Sequence, residues 1–278
     1  MTWLKPFIHD VDNIVMSIHA LLVESQGKRI IVDHVSASWG IDENLSGGSA
    51  FKDVTVQYCI IAEGLWQTGL WHGECNEKYE PGGEKGHSMG SLFKPSSGDG
   101  DMSIHHNLFA HNGNRNPAVG SYDSDQSFRA DIRNNVIYNA EGKTNLAHGR
   151  FALIGNYYRP GPNTDITLYP IGPKTVEEDA TYGTLAGNTF EGHADWTEDN
   201  YLAVEWGVRG GNYLAEVIRE EFTLATQPVA EADRPATDSA GDAYERGTLP
   251  TTAPIGVGLG LPAIGAPAPL PVATGCSV

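Results

Sequence analysis

The sequence predicts an all-β solenoid, a parallel β-helix, on three observations. A short apolar frame recurs, its copies are irregularly spaced, and the composition is poor in charge but rich in turn formers. The frame is an aliphatic residue, two variable positions, Asn or a residue of similar size at the turn, and then an apolar residue. It reads Ile31-x-x-His34-Val35, Val56-x-x-Cys59-Ile60, Ile104-x-x-Asn107-Leu108, Ile132-x-x-Asn135-Val136, Leu153-x-x-Asn156-Tyr157 and Leu185-x-x-Asn188-Thr189. The intervals between turn positions are 25, 48, 28, 21 and 32 residues. Such irregularity excludes a strict helical-hairpin repeat and suits coils whose loops vary in length. Antiparallel hairpins, which also place Asn at turns, are the alternative.

Asn suits the bend for two reasons. It tolerates left-handed backbone, and its amide can donate and accept between stacked coils. The interval of 48 is either two coils or one coil with an excursion. Residues 66–86 are dense in turn formers and read as a long surface loop, the kind that borders binding sites. Beyond residue 190 the frame fades. The stretches TEDNYLAVEW and NYLAEVIREEF look helical, which makes 190–226 a lateral or capping segment of a domain spanning 1–226. In 227–278 Ala, Pro, Thr and Gly dominate, and a disordered tail is expected there.

The net formal charge of −17 argues against nucleic acid or an anionic membrane as main partner. An acidic glycan stays open, because a local basic groove or a bridging cation can overcome that balance. No apolar run reaches transmembrane length. Cys59, Cys75 and Cys276 have no ligand-like spacing, and their odd number cannot complete a disulfide framework. Cys59, between apolar neighbours, reads as a buried thiol. The first residues lack a signal peptide's apolar segment.

Six segments together carry a family resemblance: IIVDHVSASWGIDENLS (30–46), VTVQYCIIAEGL (54–65), HSMGSLF (87–93), IHHNLFAHNGNRNP (104–117), IRNNVIYN (132–139) and GNYYRPGP (155–162). In order and spacing they resemble pectate lyases of the parallel β-helix superfamily, specifically bacterial relatives of polysaccharide lyase family one. The resemblance covers about residues 28–165, and SAGDAYERG (239–247) is similar to the family's closing segment. It implies a right-handed parallel β-helix, a single-stranded solenoid. Because the pattern starts near residue 28, the reading expects an N-terminal truncation.

The activity implied is calcium-assisted β-elimination of pectate (polygalacturonate) or a related acidic polysaccharide. A uronic acid carries an acidic C5 proton beside its carboxylate. Calcium on the carboxylate stabilises the developing enolate, a base takes the proton, and the C4–O bond breaks without water. The resemblance implies Arg115 as the catalytic residue, acting as base in the family. Because free arginine gives up its proton only in strong alkali, a fixed charge beside the carboxylate and enolate is the safer reading of its role.

As metal ligands it implies Asp42 and, near the groove, Asp33. Glu43 is a reserve that strand alternation would turn the other way, and His34 packs or caps. Lys85 and His87, with Lys94 nearby, are implied on the strand beside the groove, and His106 or His105 facing it. Two departures stand out. His19 replaces an expected Asp with only Glu24 close by, and Ala118, Val119 and Gly120 stand where a second basic residue often follows.

A monomer secreted to meet an extracellular polymer is expected from the substrate. A non-catalytic glycan-binding or structural β-helix competes with this reading. So does a glycoside hydrolase, which needs paired carboxylates; here Asn163-Thr164-Asp165 comes late and His148 follows His111.

Overall fold

The computed structural model describes residues 30–40, 42–49, 53–65, 70, 71, 74, 75, 88–95, 101–120, 128–174, 181–206, 224, 227–231 and 234–248. Three parallel sheets account for all but two of the strands among them. The first contains β1 (Ile30–Asp33), β4 (Val54–Gln57), β9 (Asp101–His105), β12 (Arg129–Arg133), β15 (Gly149–Ile154) and β18 (Thr181–Ala186). The second contains β2 (Ser36–Ser38), β5 (Ile60–Ala62), β10 (Leu108–Ala110), β13 (Val136–Tyr138), β16 (Tyr157–Arg159) and β19 (Thr189–Phe190). The third contains β3 (Glu43–Ser49), β8 (Met89–Pro95), β11 (Ala118–Gly120), β14 (Thr144–Ala147) and β17 (Ile171–Lys174).

The chain visits the sheets in that order and then repeats, each strand pairing in parallel with its counterpart one coil away. The result is a right-handed parallel β-helix. The interval of 48 is one coil with an excursion, which leaves after β5 and returns at β8. Within it lies a short antiparallel pair, β6 (Leu70–Trp71) with β7 (Glu74–Cys75).

Alternation explains the core. Val54 and Val56, Met102 and Ile104, Ala130 and Ile132, and Phe151 and Leu153 point inward from the first sheet and are buried. Across the second sheet Ile61, Phe109, Ile137, Tyr158 and Phe190 share one row, with Tyr158 and Phe190 stacked at 4.7 Å. Phe93, Val119 and Leu146 fill the third side. Each of the Val, Leu, Ile, Phe and Met side chains among these contributes roughly 1.5–3 kcal/mol.

Between the first two sheets the turn row is an asparagine ladder. Asn107, Asn135, Asn156, Asn188 and Asn200 are all buried, each Nδ2 donating to the next Oδ1 at 3.0, 3.0, 2.9 and 3.0 Å. The same amides donate to the carbonyls of Val56, Ile104, Ile132 and Leu153, while each Oδ1 accepts the preceding coil's backbone N–H.

Two details of the sequence reading change. Ser36 pairs with Ile60, so the row member in the first coil is Val35, not His34, and the inward aliphatic is Val32, not Ile31. Ile31 is accordingly 63% exposed. The left-handed residues also stand one position earlier: His34, Tyr58, His106, Asn134, Gly155 and Gly187. The asparagine row supplies the hydrogen bonds, and its predecessor supplies the bend.

Cys59 holds the row position where Asn would extend the ladder. Its thiol donates to the Gln57 carbonyl at 3.1 Å and lies 3.7 Å from that of Val32; burial pushes its pKa up. Cys59→Asn would add an acceptor for the Val35 N–H. We expect it to stabilise the fold by about 1 kcal/mol, read as a higher urea midpoint; a lower midpoint would show that the site is too small for an amide.

After β19 the helix α1 (Ala194–Glu198) and a 3₁₀ turn (Asn200–Ala203) bring Asn200 to the end of the ladder. NYLAEVIREEF lies outside the described residues. The described part of the segment expected as a loose tail is held to the solenoid. α2 (Ala240–Thr248) packs on β13 and β16, with Tyr244 stacked on Tyr157 at 4.5 Å. Gln227 and Thr237 accept from the buried Arg133 guanidinium, which also pairs with buried Asp131 at 2.7 Å.

Candidate functional site

The third sheet and the loops leading into it build the site. In the third coil His111–Pro117 cross from β10 to β11 and carry Arg115. Arg115 has left-handed backbone, φ 59°, a conformation that costs energy in a residue with a Cβ. The surroundings hold it there. The Arg115 carbonyl accepts from the Ser91 N–H at 2.8 Å, and its own N–H donates to Asn114 Oδ1 at 2.7 Å. A Cβ on Gly90 would stand 2.6 Å from that carbonyl, so only glycine lets the two coils close here.

Beneath this loop is a second asparagine network. Asn112 Oδ1 accepts from Asn44 Nδ2 (3.0 Å) and the Gly64 N–H (3.1 Å), while Asn112 Nδ2 donates to the Ile61 carbonyl (2.9 Å) and Asn116 Oδ1 (3.1 Å). Ser88 donates to the Gly64 carbonyl and accepts from the Gly113 N–H. Asn44, Asn112, Asn114 and Asn116 have no role in the sequence reading. The signal was present as three asparagines in HNGNRNP and one in DENLS.

The Arg115 guanidinium forms an ion pair with Glu43 and lies 3.6 Å from Asp42 Oδ1. The structure thus brings Arg115, Asp42 and Glu43 together, with side chains 28%, 38% and 9% exposed. Strand alternation does not separate the two acids. Asp42 precedes β3, whose first residue is Glu43, so no strand geometry opposes them. This grouping offers a fixed cation for an anionic substrate and two hard carboxylate oxygens for a metal.

Asp33, His34 and His106 lie elsewhere. They occupy the corner between the first and second sheets, a β2 or β10 strand away from the Arg115 loop. Asp33 Oδ1 contacts His34 Nδ1 at 2.7 Å, His34 stacks on Tyr58, and Tyr58 on His106. His106 Nε2 contacts Asp238 at 2.9 Å and its Nδ1 lies 2.8 Å from that of His105. His106 is therefore a tie to the C-terminal segment in this structure, and Asp33 does not join Asp42 and Glu43. Lys85 and His87 lie outside the described residues. Among the described residues, no group of three or more His, Cys, Asp or Glu side chains could hold a metal ion.

Burial lowers the His105 pKa to about 4, with the charges of His106 and Arg133 adding to the effect. A histidine with a depressed folded pKa contributes stability above its unfolded pKa of about 6.5, and that contribution is lost as pH falls through about 4. We expect on the order of 2–3 kcal/mol from this group across that window. Urea midpoints at neutral pH and near pH 4 should converge in His105→Gln relative to the wild type. Equal pH dependence in both proteins would remove His105 from the account.

No family model matches the chain. It is 31% identical over 195 residues to "Probable pectate lyase C" of Aspergillus fumigatus, and 34% identical over 195 residues to the protein of that name in Aspergillus flavus. Each match covers 68% of this chain and 38% of the relative, so the chain spans under two fifths of the length of these fungal relatives. A separate match, 82% identical over 73 residues, is to tRNA-2-methylthio-N(6)-dimethylallyladenosine synthase of Nocardia farcinica. It covers 25% of this chain and 14% of that protein.

Proposed function

We propose that this chain is a polysaccharide lyase of the pectate lyase type, cleaving polygalacturonate or a related uronate polymer by calcium-assisted β-elimination at Arg115. The observation that carries the reading is the cluster itself: a left-handed, hydrogen-bond-locked arginine facing two adjacent carboxylates on the third sheet. The similarity to proteins named pectate lyase supports the same chemistry.

Asp42 and Glu43 suit calcium by donor type but form only part of a shell of about six to eight oxygens. The substrate's own carboxylates and water would complete it. Held there by Asp42 and Glu43, calcium would supply positive charge that neutralises the uronate group.

The Arg115 guanidinium faces the same space. Its side chain, held by the backbone, either accepts the C5 proton as a neutral guanidine or, kept charged, stabilises the enolate while solvent water takes the proton. Arg115 pairs with Glu43, and the stabilising role needs no loss of an arginine proton. The C5–H electrons form the C4–C5 double bond, C4–O breaks, and the leaving oxygen takes a proton. We assign the protein to the extracellular space with its polymer. No helix among the described residues is long and apolar enough to cross a membrane.

Product analysis in heavy-oxygen water tests the reaction class. Elimination yields unsaturated ends with no label, and chelator stops their formation. Labelled, saturated ends would instead identify hydrolysis, and no cleavage would leave a binding protein.

A further inference from the structure

A second concavity lies on the same corner of the solenoid as Arg115. Residues 140–143 of the fourth coil, the 160–170 loop of the fifth and 190–196 of the sixth surround a cleft of about 70 Å³. Its walls are apolar. Tyr169 stacks on Trp196 at 5.7 Å, Trp196 meets Phe190 edge-on at 6.1 Å, and Ile166 and Leu168 are 58% and 42% exposed. Exposed apolar side chains gathered at one concavity, instead of scattered, are the mark of a binding surface.

The charges there disfavour a uronate. Both lysine and arginine on the lining are engaged: Lys143 pairs with Glu205, and Arg159 lies 3.5 Å from Glu191 and over the Tyr244 ring. Glu141, Asp165 and Glu191 leave the lining net negative. A free carboxylate entering would lose hydration and meet like charge. An uncharged pyranose ring has an apolar C–H face to lie on an aromatic side chain, and hydroxyls to donate to the rim carboxylates.

The cleft is continuous with the Arg115 loop. The Glu141 N–H donates to the Asn112 carbonyl at 3.4 Å. On the floor, the Tyr158 hydroxyl meets Thr144 Oγ1 at 3.1 Å, and Thr144 donates to the Asn116 carbonyl at 2.6 Å. Coils repeat at about 4.8 Å, so one polymer chain running along the solenoid reaches both places.

We infer that this cleft is a subsite for an uncharged pyranose residue, neutral or esterified, of the polysaccharide cleaved at Arg115, a few sugars from the reacting bond. The inference rests on the lyase reading for its substrate, but binding can be measured without turnover.

Calorimetry on the full chain carrying Arg115→Ala makes that separation. The probes are a methyl-esterified oligogalacturonide, its de-esterified counterpart of equal length, and a neutral galacto-oligosaccharide; the first and third tell an ester from a neutral sugar as the source. Uncharged probes should bind at least about tenfold tighter than the acid. Tyr169→Ala, which removes an exposed ring, should erase that preference. Leu168→Lys, an exposed rim change, should shift it toward the acid. Equal or tighter binding of the acid to the cleft without these rim substitutions would overturn the inference. So would a preference that survives Tyr169→Ala. A preserved preference in a protein whose wild type forms no unsaturated ends would sink the lyase reading alone and support the cleft.

Discussion

Arg115→Ala is expected to lower the rate of β-elimination by about 10²–10³-fold or more, the scale of losing one preorganised charge at a developing anion. Folding should be little affected by loss of the side chain, since the Arg115 loop is held by main-chain bonds to Ser91 and by Asn112, Asn114 and Asn116. Arg115→Lys keeps a positive charge but loses the planar fork, and it should recover little of the rate. Removing the side chain also frees Glu43 and Asp42 from a neighbouring cation, so calcium should bind the variant more tightly than the wild type. Calorimetric titration with calcium reads that change. Weaker calcium binding in Arg115→Ala would mean that these carboxylates are not the metal's ligands.

The second large effect belongs to the ladder. Asn156→Ala strips an acceptor from the Asn135 backbone N–H and Nδ2, a donor from the Ile132 carbonyl, and the link to Asn188. All of these groups are buried in a low-dielectric row, where an unmade hydrogen bond costs more than a made one contributes. A loss on the order of 3–5 kcal/mol is expected, a large part of a domain's net stability. Asn163→Ala, in an exposed loop position, should fall within about 0.5 kcal/mol of wild type. Urea denaturation of both variants checks the contrast, and similar midpoints would contradict the ladder's role.

The solenoid was legible because its signal is local. An inward aliphatic residue and an asparagine three positions later recur in each coil from Ile104 onward, and together they build core and ladder. The register error in the first coil has the same origin. His34-Val35 mimics the frame, and only pairing across coils shows Val35 level with Cys59.

The site was legible in part. Arg115 stands in a compact motif, and its nearness to Asp42 follows from the coil repeat. The placement of Glu43 beside Arg115 was hidden, because alternation was applied to a residue pair that straddles the start of β3. Asp33 and His106 were misplaced for a related reason. They sit in conspicuous motifs, yet the short β2 and β10 strands set their corner apart from the Arg115 loop. Conspicuous sequence does not reveal which corner of a coil a residue occupies. The aromatic cleft was invisible altogether, since Tyr169 and Trp196 are far apart along the chain and meet only through stacked loops.

Ultraviolet absorbance of the unsaturated product, followed on polygalacturonate with calcium and with excess chelator, tests β-elimination at Arg115 directly. Absorbance should rise with the wild type and calcium, stop with chelator, and rise at least about 10²-fold more slowly with Arg115→Ala. Undiminished absorbance growth with Arg115→Ala would contradict it.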